Sequence, residues 1–192
     1  MTDPAAELNG PADLQQMCAG IGPVHAAWVY TPIGGMVAVA DGQALHLLEF
    51  PRVARLQAAF ARMPAIAFGK TAITISLQDQ LTAYFAGRRA AFDLPLAMPV
   101  ATPFTTAVWS AVQAVPYGAT TTYGQIARGL TASRAARAVG RANGANPFAI
   151  LVPCHRIIGP DGALTGYAGG IWRKEWLLAH EARGMRLPHS NA

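Results

Sequence analysis

The chain has 192 residues, of which 52% are hydrophobic and only 13% charged, a balance that excludes intrinsic disorder for most of it and allows one domain or two small ones. The formal net charge of +5 is unevenly placed, at −1 over residues 1–100 and +6 over residues 101–192. A one-sided positive field attracts polyanions, but on charge alone a solvated basic face is the simpler explanation.

Residues 1–25 mix Pro, Gly, Ala and Asp with little periodicity and are expected to form a loose lead-in with a short helix near 12–18. Three short apolar segments follow, Ala27–Thr31, Met36–Ala40 and Ala44–Phe50, separated by Pro32, Gly34–Gly35 and Asp41–Gly42. Short strands with Gly-containing turns predict an antiparallel meander. Val53, Leu56, Ala59 and Phe60 at helical spacing predict a helix over Arg52–Met63, and a second helix is expected over Leu77–Ala86. Residues 1–95 therefore read as an N-terminal α+β structural domain built on a small antiparallel sheet. The stretch 94–103, with three prolines and no charge, predicts a linker, placed at 96–103. Residues 104–192 follow as a mostly helical C-terminal domain.

In that second half, Phe104–Val115 predicts a helix stopped by Pro116, and Thr122–Gly129 a short helix capped by Thr121 or Thr122. Ser133 is expected to cap a further helix running to Asn143, and the pair, joined by Leu130–Thr131–Ala132, has helix-turn-helix spacing. Arg134, Arg137 and Arg141 at i, i+3 and i+7 share one face of the second helix, among alanines and Gly140. Basic side chains on a helix of small residues suit a nucleic-acid groove. Packing against the domain's own core explains the alanines equally well, and the arginine stripe less well. Ile150–Val152 is expected to be a short buried extended piece, Gly159–Gly170 a Gly-rich loop, and Ile171–Arg183 a last helix ended by Gly184.

Cys154 stands in Pro153–Cys154–His155–Arg156. A thiol beside His and Arg, at the end of a buried segment, is placed for activation as a thiolate. On a strand, neighbouring side chains point to opposite faces, so His155 reaches Cys154 only if the chain turns or a water bridges them. Arg156 is expected to point to water or to phosphate. A lone cysteine is otherwise most often an inert buried residue.

The context of Cys154 resembles the O6-alkylguanine-DNA alkyltransferase family, also called methylated-DNA–protein-cysteine methyltransferases. The resemblance covers about residues 103–184 in six ordered blocks: Pro116–Tyr117–Gly118, Thr122–Ala127, Ala135–Gly140, Asn146–Pro147, Pro153–Arg156 and Arg173–Leu178. It implies direct, irreversible, single-turnover transfer of the alkyl group of O6-alkylguanine in double-stranded DNA to Cys154, with O4-alkylthymine a further candidate substrate. It implies that His155 acts as a water-mediated base, that Glu181 orients His155, and that Asn146 braces the active-site turn. Arg137 becomes the finger that enters the base stack as the target flips out, with Tyr123, Ala136, Arg134 and Arg141 on the DNA. Tyr167, Ile157, Ala168 and Pro153 become the alkylguanine pocket.

Residues 1–100 match that family only in broad layout. Some of its members bind zinc there; Cys18, His25 and His46 fall short of the four ligands a tetrahedral site needs, so no metal and no cofactor is expected. Two cysteines are too few for a disulfide framework. The uncharged runs 14–40 and 94–127 are broken by prolines, and no basic residue precedes Arg52, so neither a membrane span nor a signal peptide is expected. The expected state is a cytoplasmic monomer. Two other readings stay open: a lesion-binding sensor without transfer, which Cys154 argues against, and a thiol hydrolase, which leaves the arginine helix without a task.

Overall fold

The computed structural model describes residues 6–18, 23–130 and 135–184. The chain divides into two compact units, Met1–Pro99 and Val100–Ala192. The first opens with α1 (Pro11–Met17) and continues through β1 (Val24–Val29), β2 (Met36–Ala40), β3 (Leu45–Glu49), α2 (Val53–Phe60), β4 (Ile66–Phe68) and α3 (Ala72–Phe85). The strand order is β3-β2-β1-β4. The first three strands are antiparallel neighbours, with Trp28 opposite Val37 and Val37 opposite Glu49.

Two features of this unit differ from the sequence expectation. The sheet has a fourth strand, β4, which pairs parallel to β1 from Val24↔Ile66 to Ala26↔Phe68. Three residues carry too little pattern to be read as a strand; their pairing comes from burying Ile66 in the sheet's core. Helix α3 begins five residues before Leu77, because Thr71 and Thr74 form a capping box that satisfies two of the free N-terminal donors. The core is apolar: Leu14, Val24, Ala26, Trp28, Val37, Val39, Leu47, Leu56 and Ile66 pack together. Gly35 makes room for the Trp28 indole, since a Cβ at this position would lie 2.0 Å from Trp28 Cζ2.

The second unit contains α4 (Pro103–Gln113), β5 (Thr121–Thr122), α5 (Tyr123–Gly129), α6 (Ala136–Gly144), β6 (Ile157–Ile158) and α7 (Ile171–Gly184). Thr122 caps α5 in a capping box with Gln125. Helix α6 starts at Ala136 with Ala135 as its N-cap and no side-chain cap. The expected cap Ser133 and the connection 131–134 lie outside the described residues, as does Arg134. Trp109 of α4 donates its indole N–H to Ala142 O of α6 at 2.8 Å. β5 and β6 pair in parallel, Thr121↔Ile157 and Thr122↔Ile158. This two-residue ladder, too short to read from sequence, fixes the segment that follows Cys154–Arg156 beside the start of α5. Among the described residues no helix is long and apolar enough to cross a membrane.

Candidate active site

The segment 146–152 is a tight turn and not the extended piece expected at Ile150–Val152. Asn146 organises it: its Oδ1 accepts from Phe148 N–H at 2.9 Å, and its Nδ2 donates to Val152 O at 2.9 Å and to Phe148 O at 3.3 Å. The Val152 N–H returns to Phe148 O at 2.9 Å. Ile150 is left with φ 72, a left-handed conformation that costs an L-residue roughly 1–2 kcal/mol. The apolar run suggested a strand because it is buried; the side-chain bonds of Asn146 outweigh that propensity.

The chain then enters a 3-10 turn, Cys154–Arg156, and the strand alternation assumed for Cys154 and His155 does not apply. All three side chains are buried. His155 Nε2–H donates to Glu181 Oε1 at 2.9 Å. Arg156, expected to face water or phosphate, instead turns inward. Its Nε donates to Glu181 Oε2 and its Nη2 to Glu181 Oε1, both at 2.9 Å, while Nη1 bonds Val115 O at 2.6 Å. A fork of donors facing a carboxylate gives strong charge-assisted pairing, which is why the long side chain leaves solvent. The Gly118 N–H adds a bond to Glu181 Oε2 at 3.1 Å.

Glu181 thus receives four donors at its two oxygens, the full capacity of a carboxylate. Burial raises its pKa, but the hydrogen bonds and charges of His155 and Arg156 overcome burial and hold it well below the usual carboxylate range. An anionic Glu181 can only accept, so the His155 proton sits on Nε2 and Nδ1 is the acceptor nitrogen. Complete burial drives the His155 pKa below its usual value; Glu181 pulls it up, while Arg156 and Lys174 push it down. The ring is neutral. Its Nδ1 is buried with no hydrogen-bond partner among the described residues.

Two residues at this centre carry no role in the sequence reading. Lys174 is fully buried, with Nζ donating to Ile157 O at 2.5 Å and Thr165 O at 3.1 Å. Burial lowers its pKa, and the Cys154 group draws it back up. Asn143 donates from Nδ2 to Cys154 O at 3.3 Å, tying α6 to the 3-10 turn. Lys174 had a signal: Lys174, Leu177 and Glu181 share one stripe of α7, so two charges sit on the face that should be apolar. Asn143 had none.

The remaining predicted residues sit on neighbouring elements. Tyr123 opens α5, half-buried, with its ring near Gly140 of α6. Arg137 and Arg141 are exposed on α6, one turn apart, and Ala136 at the first helical position is half-buried. Pro153 and Ile157 flank the 3-10 turn and are buried; Tyr167 and Ala168 are half-buried in the loop before α7. The Ile157 carbonyl is engaged by Lys174. Among the described residues no group of three or more His, Cys, Asp or Glu is placed to hold a metal ion.

A neutral histidine with a free acceptor nitrogen, locked by a carboxylate and next in sequence to a buried cysteine, is an arrangement that can deprotonate a thiol. Residues 103–183 match the family model for the 6-O-methylguanine DNA methyltransferase DNA-binding domain. The methylated-DNA–protein-cysteine methyltransferase of Methanosarcina barkeri is 41% identical over 158 residues, 82% of this chain and 97% of that protein. The protein of the same name from Salmonella typhimurium is 56% identical over 105 residues, and the match spans 55% of this chain and only 61% of the relative's length. Among solved structures, Mycobacterium tuberculosis O6-methylguanine methyltransferase is 40% identical with a TM-score of 0.74, covering 87% of this chain and 96% of that one. A structure titled as the Mycobacterium tuberculosis OGT in complex with DNA is 41% identical with a TM-score of 0.73, covering 83% and 94%.

Proposed function

Because this chain belongs to the methylated-DNA–protein-cysteine methyltransferase family, we propose that it repairs DNA by moving the alkyl group of O6-alkylguanine onto Cys154, once per molecule. The observation that carries this reading is the neutral, anchored His155 beside the buried Cys154. His155 Nδ1 takes the thiol proton through a bridging water. The thiolate sulfur attacks the alkyl carbon, a carbon–sulfur bond forms, and the carbon–O6 bond breaks with its electron pair on the guanine. The guanine regains a proton at the ring, which balances the one the thiol lost. The thioether that results has no easy hydrolysis, so Cys154 is spent. Lys174, an ammonium within electrostatic reach of Cys154, favours the thiolate.

The target atom lies inside the duplex, so the nucleotide must leave the stack. Arg137 fills the gap from α6, Arg141 contacts phosphate, and Tyr123 and Ala136 line the approach. Tyr167, Ala168, Pro153 and Ile157 enclose the base. Binding is electrostatic and sequence-independent, as a search of all DNA requires. The protein acts as a cytosolic monomer without a cofactor. A sensor that only binds the lesion leaves Cys154 and the buried His155–Glu181–Arg156 cluster without a use.

The direct test is intact mass after incubation with a duplex containing one O6-methylguanine, followed by peptide mapping. We expect a gain of one methyl group on the Cys154 peptide, absent in Cys154→Ser. Tight binding without a mass change would favour the sensor instead. Arg137→Ala should slow repair in duplex DNA far more than reaction with the free alkylated base; equal losses on both would remove the finger role.

A further inference from the structure

Of the four donors on Glu181, three come from His155 and Arg156, the two residues after Cys154. The fourth comes from a different part of the unit, the loop ahead of β5. There Pro116–Tyr117–Gly118–Ala119 closes as a β-turn, with Ala119 N–H donating to Pro116 O at 3.1 Å. Gly118 has φ 74, the left-handed third position that makes this a glycine site in a type II turn. The turn presents its Gly118 N–H to Glu181 Oε2. It also places Tyr117 against the same ion pair: the Arg156 guanidinium carbon lies 5.8 Å from the Tyr117 ring centroid. The other end of the ring reaches the close of α7, where a Cβ on Gly184 would lie 2.7 Å from Tyr117 Oη and 3.1 Å from Cε1. The ring therefore spans from Arg156 to the last residue of the helix that carries Glu181.

We propose that Tyr117 is a positioning residue for the base: its ring keeps water from the Arg156–Glu181 pair and so holds His155 in the neutral form that can take the thiol proton. The proposal rests on Cys154 being the alkyl acceptor. The charged and titratable groups around His155 are Glu181 and Lys174 from α7, and Arg156 and Cys154 from its own turn; Tyr117 and the Gly118 N–H close the side toward β5. Burial is the largest influence on His155 and keeps the proton off. With the ring gone, water reaches the guanidinium and the cost of a charged imidazole falls. His155 then protonates closer to neutral pH and stops accepting. The Tyr117 hydroxyl is itself pushed up in pKa, by burial first and by Glu181 second, so the ring stays neutral throughout.

The experiment follows the His155 ring by NMR titration of the full chain, in parallel with the rate of methyl transfer from a methylated duplex across neutral pH. The variants are Tyr117→Phe, Tyr117→Ala and Gly184→Ala. Phe keeps the ring and should leave the His155 midpoint unchanged. Ala should raise it by about one unit, cutting the rate by up to about tenfold at pH values below the midpoint of the unaltered chain, while leaving the rate at alkaline pH within about twofold. Gly184→Ala, which pushes the ring from its far end, should shift the midpoint in the same direction by less. An unchanged midpoint in Tyr117→Ala, or a rate loss equal at every pH, overturns the proposal. If Tyr117→Ala does not fold, an unchanged midpoint in Gly184→Ala overturns it alone. If the unaltered chain transfers no methyl group, the alkyl-acceptor reading fails, and the His155 midpoints still decide what Tyr117 does.

Discussion

The two units bury different chemistry. In the first, a sheet packs Leu14, Val24, Trp28, Val37, Val39 and Leu56 into an apolar core, and the buried polar side chains among its described residues are Glu49, Thr74 and Gln80. In the second, the buried set includes Asn143, Asn146, His155, Arg156, Arg173, Lys174, His180 and Glu181. Apolar burial stabilises by roughly 25 cal/mol per Å² without any need for partners. A buried ion pair does no better than apolar residues of the same volume, and is costly once one partner is lost. The second unit thus keeps an interior that stability alone would not select. His155 and Arg156 converge on Glu181, while Asn143, Asn146 and Lys174 bind the backbone within and on either side of the Cys154 turn.

The sharpest way to break this contrast is Glu181→Ala. It leaves Arg156 buried beside a neutral His155 with no carboxylate, and removal of one partner from a buried pair costs about 3–5 kcal/mol. Peptide-resolved hydrogen exchange should show the loss across residues 103–184 and not across the sheet of the first unit, and methyl transfer should vanish. The converse change is Gly35→Ala. The new Cβ collides with the Trp28 indole, and overpacking of this kind costs roughly 1–3 kcal/mol. Here exchange should rise in β1 and β2, while the transfer rate per folded molecule stays unchanged. Equal protection loss in both units from either variant would show that the division is not energetic.

Acid separates the two units by proton linkage. The folded His155 has a lowered pKa, so below its unfolded value of about 6.5 the unfolded chain binds the extra proton and the folded one does not. Stability of the second unit is full above that pH. It falls by up to about 1.4 kcal/mol per unit as the pH drops toward the folded pKa. In the first unit, burial raises Glu49, so protonation of that group favours the folded form. The carboxylate of Asp41, held at about 2 by the Ala44 and Gln43 backbone N–H groups and by His46, responds only in stronger acid. Exchange measured on either side of pH 6.5 should therefore change in residues 103–184 first. The transfer rate of the unaltered chain should pass through pH 6.5 without a histidine step.

The same contrast governs what could be read without a structure. The strands β2 and β3 and the helix α7 carry enough periodic apolar residues to be legible in sequence. β4, β5 and β6 have three, two and two residues, and exist through pairing partners far along the chain. Ile150–Val152 misled because an apolar run looks like a strand, while the force that bends it belongs to the Asn146 amide. Arg156 misled because a long charged side chain ordinarily seeks solvent; its partner lies 25 positions on. The alkyltransferase resemblance supplied the pairing of His155 with Glu181. The roles of Arg156 and Gly118 required coordinates, since each is defined by a contact that no local pattern encodes; Lys174 showed in the sequence only as a charge on the apolar stripe of α7, without its partners.

Two helix caps of one design separate the units least. Both units start a helix with a capping box, Thr71 with Thr74 on α3 and Thr122 with Gln125 on α5. Replacing either threonine by alanine removes the side-chain acceptor for one backbone N–H and costs about 1 kcal/mol. The two caps differ in what they hold. Thr71 begins a helix that supports the sheet. Thr122 also pairs with Ile158 in the β5–β6 ladder, and is followed directly by Tyr123. Thr71→Ala and Thr122→Ala should lower the denaturation midpoint of their own units by similar amounts. Only Thr122→Ala should also slow methyl transfer from duplex DNA, because its loss loosens both Tyr123 and the segment leaving the Cys154 turn. An equal transfer rate in the two variants would mean that the ladder, and not the cap, sets the geometry between α5 and Cys154.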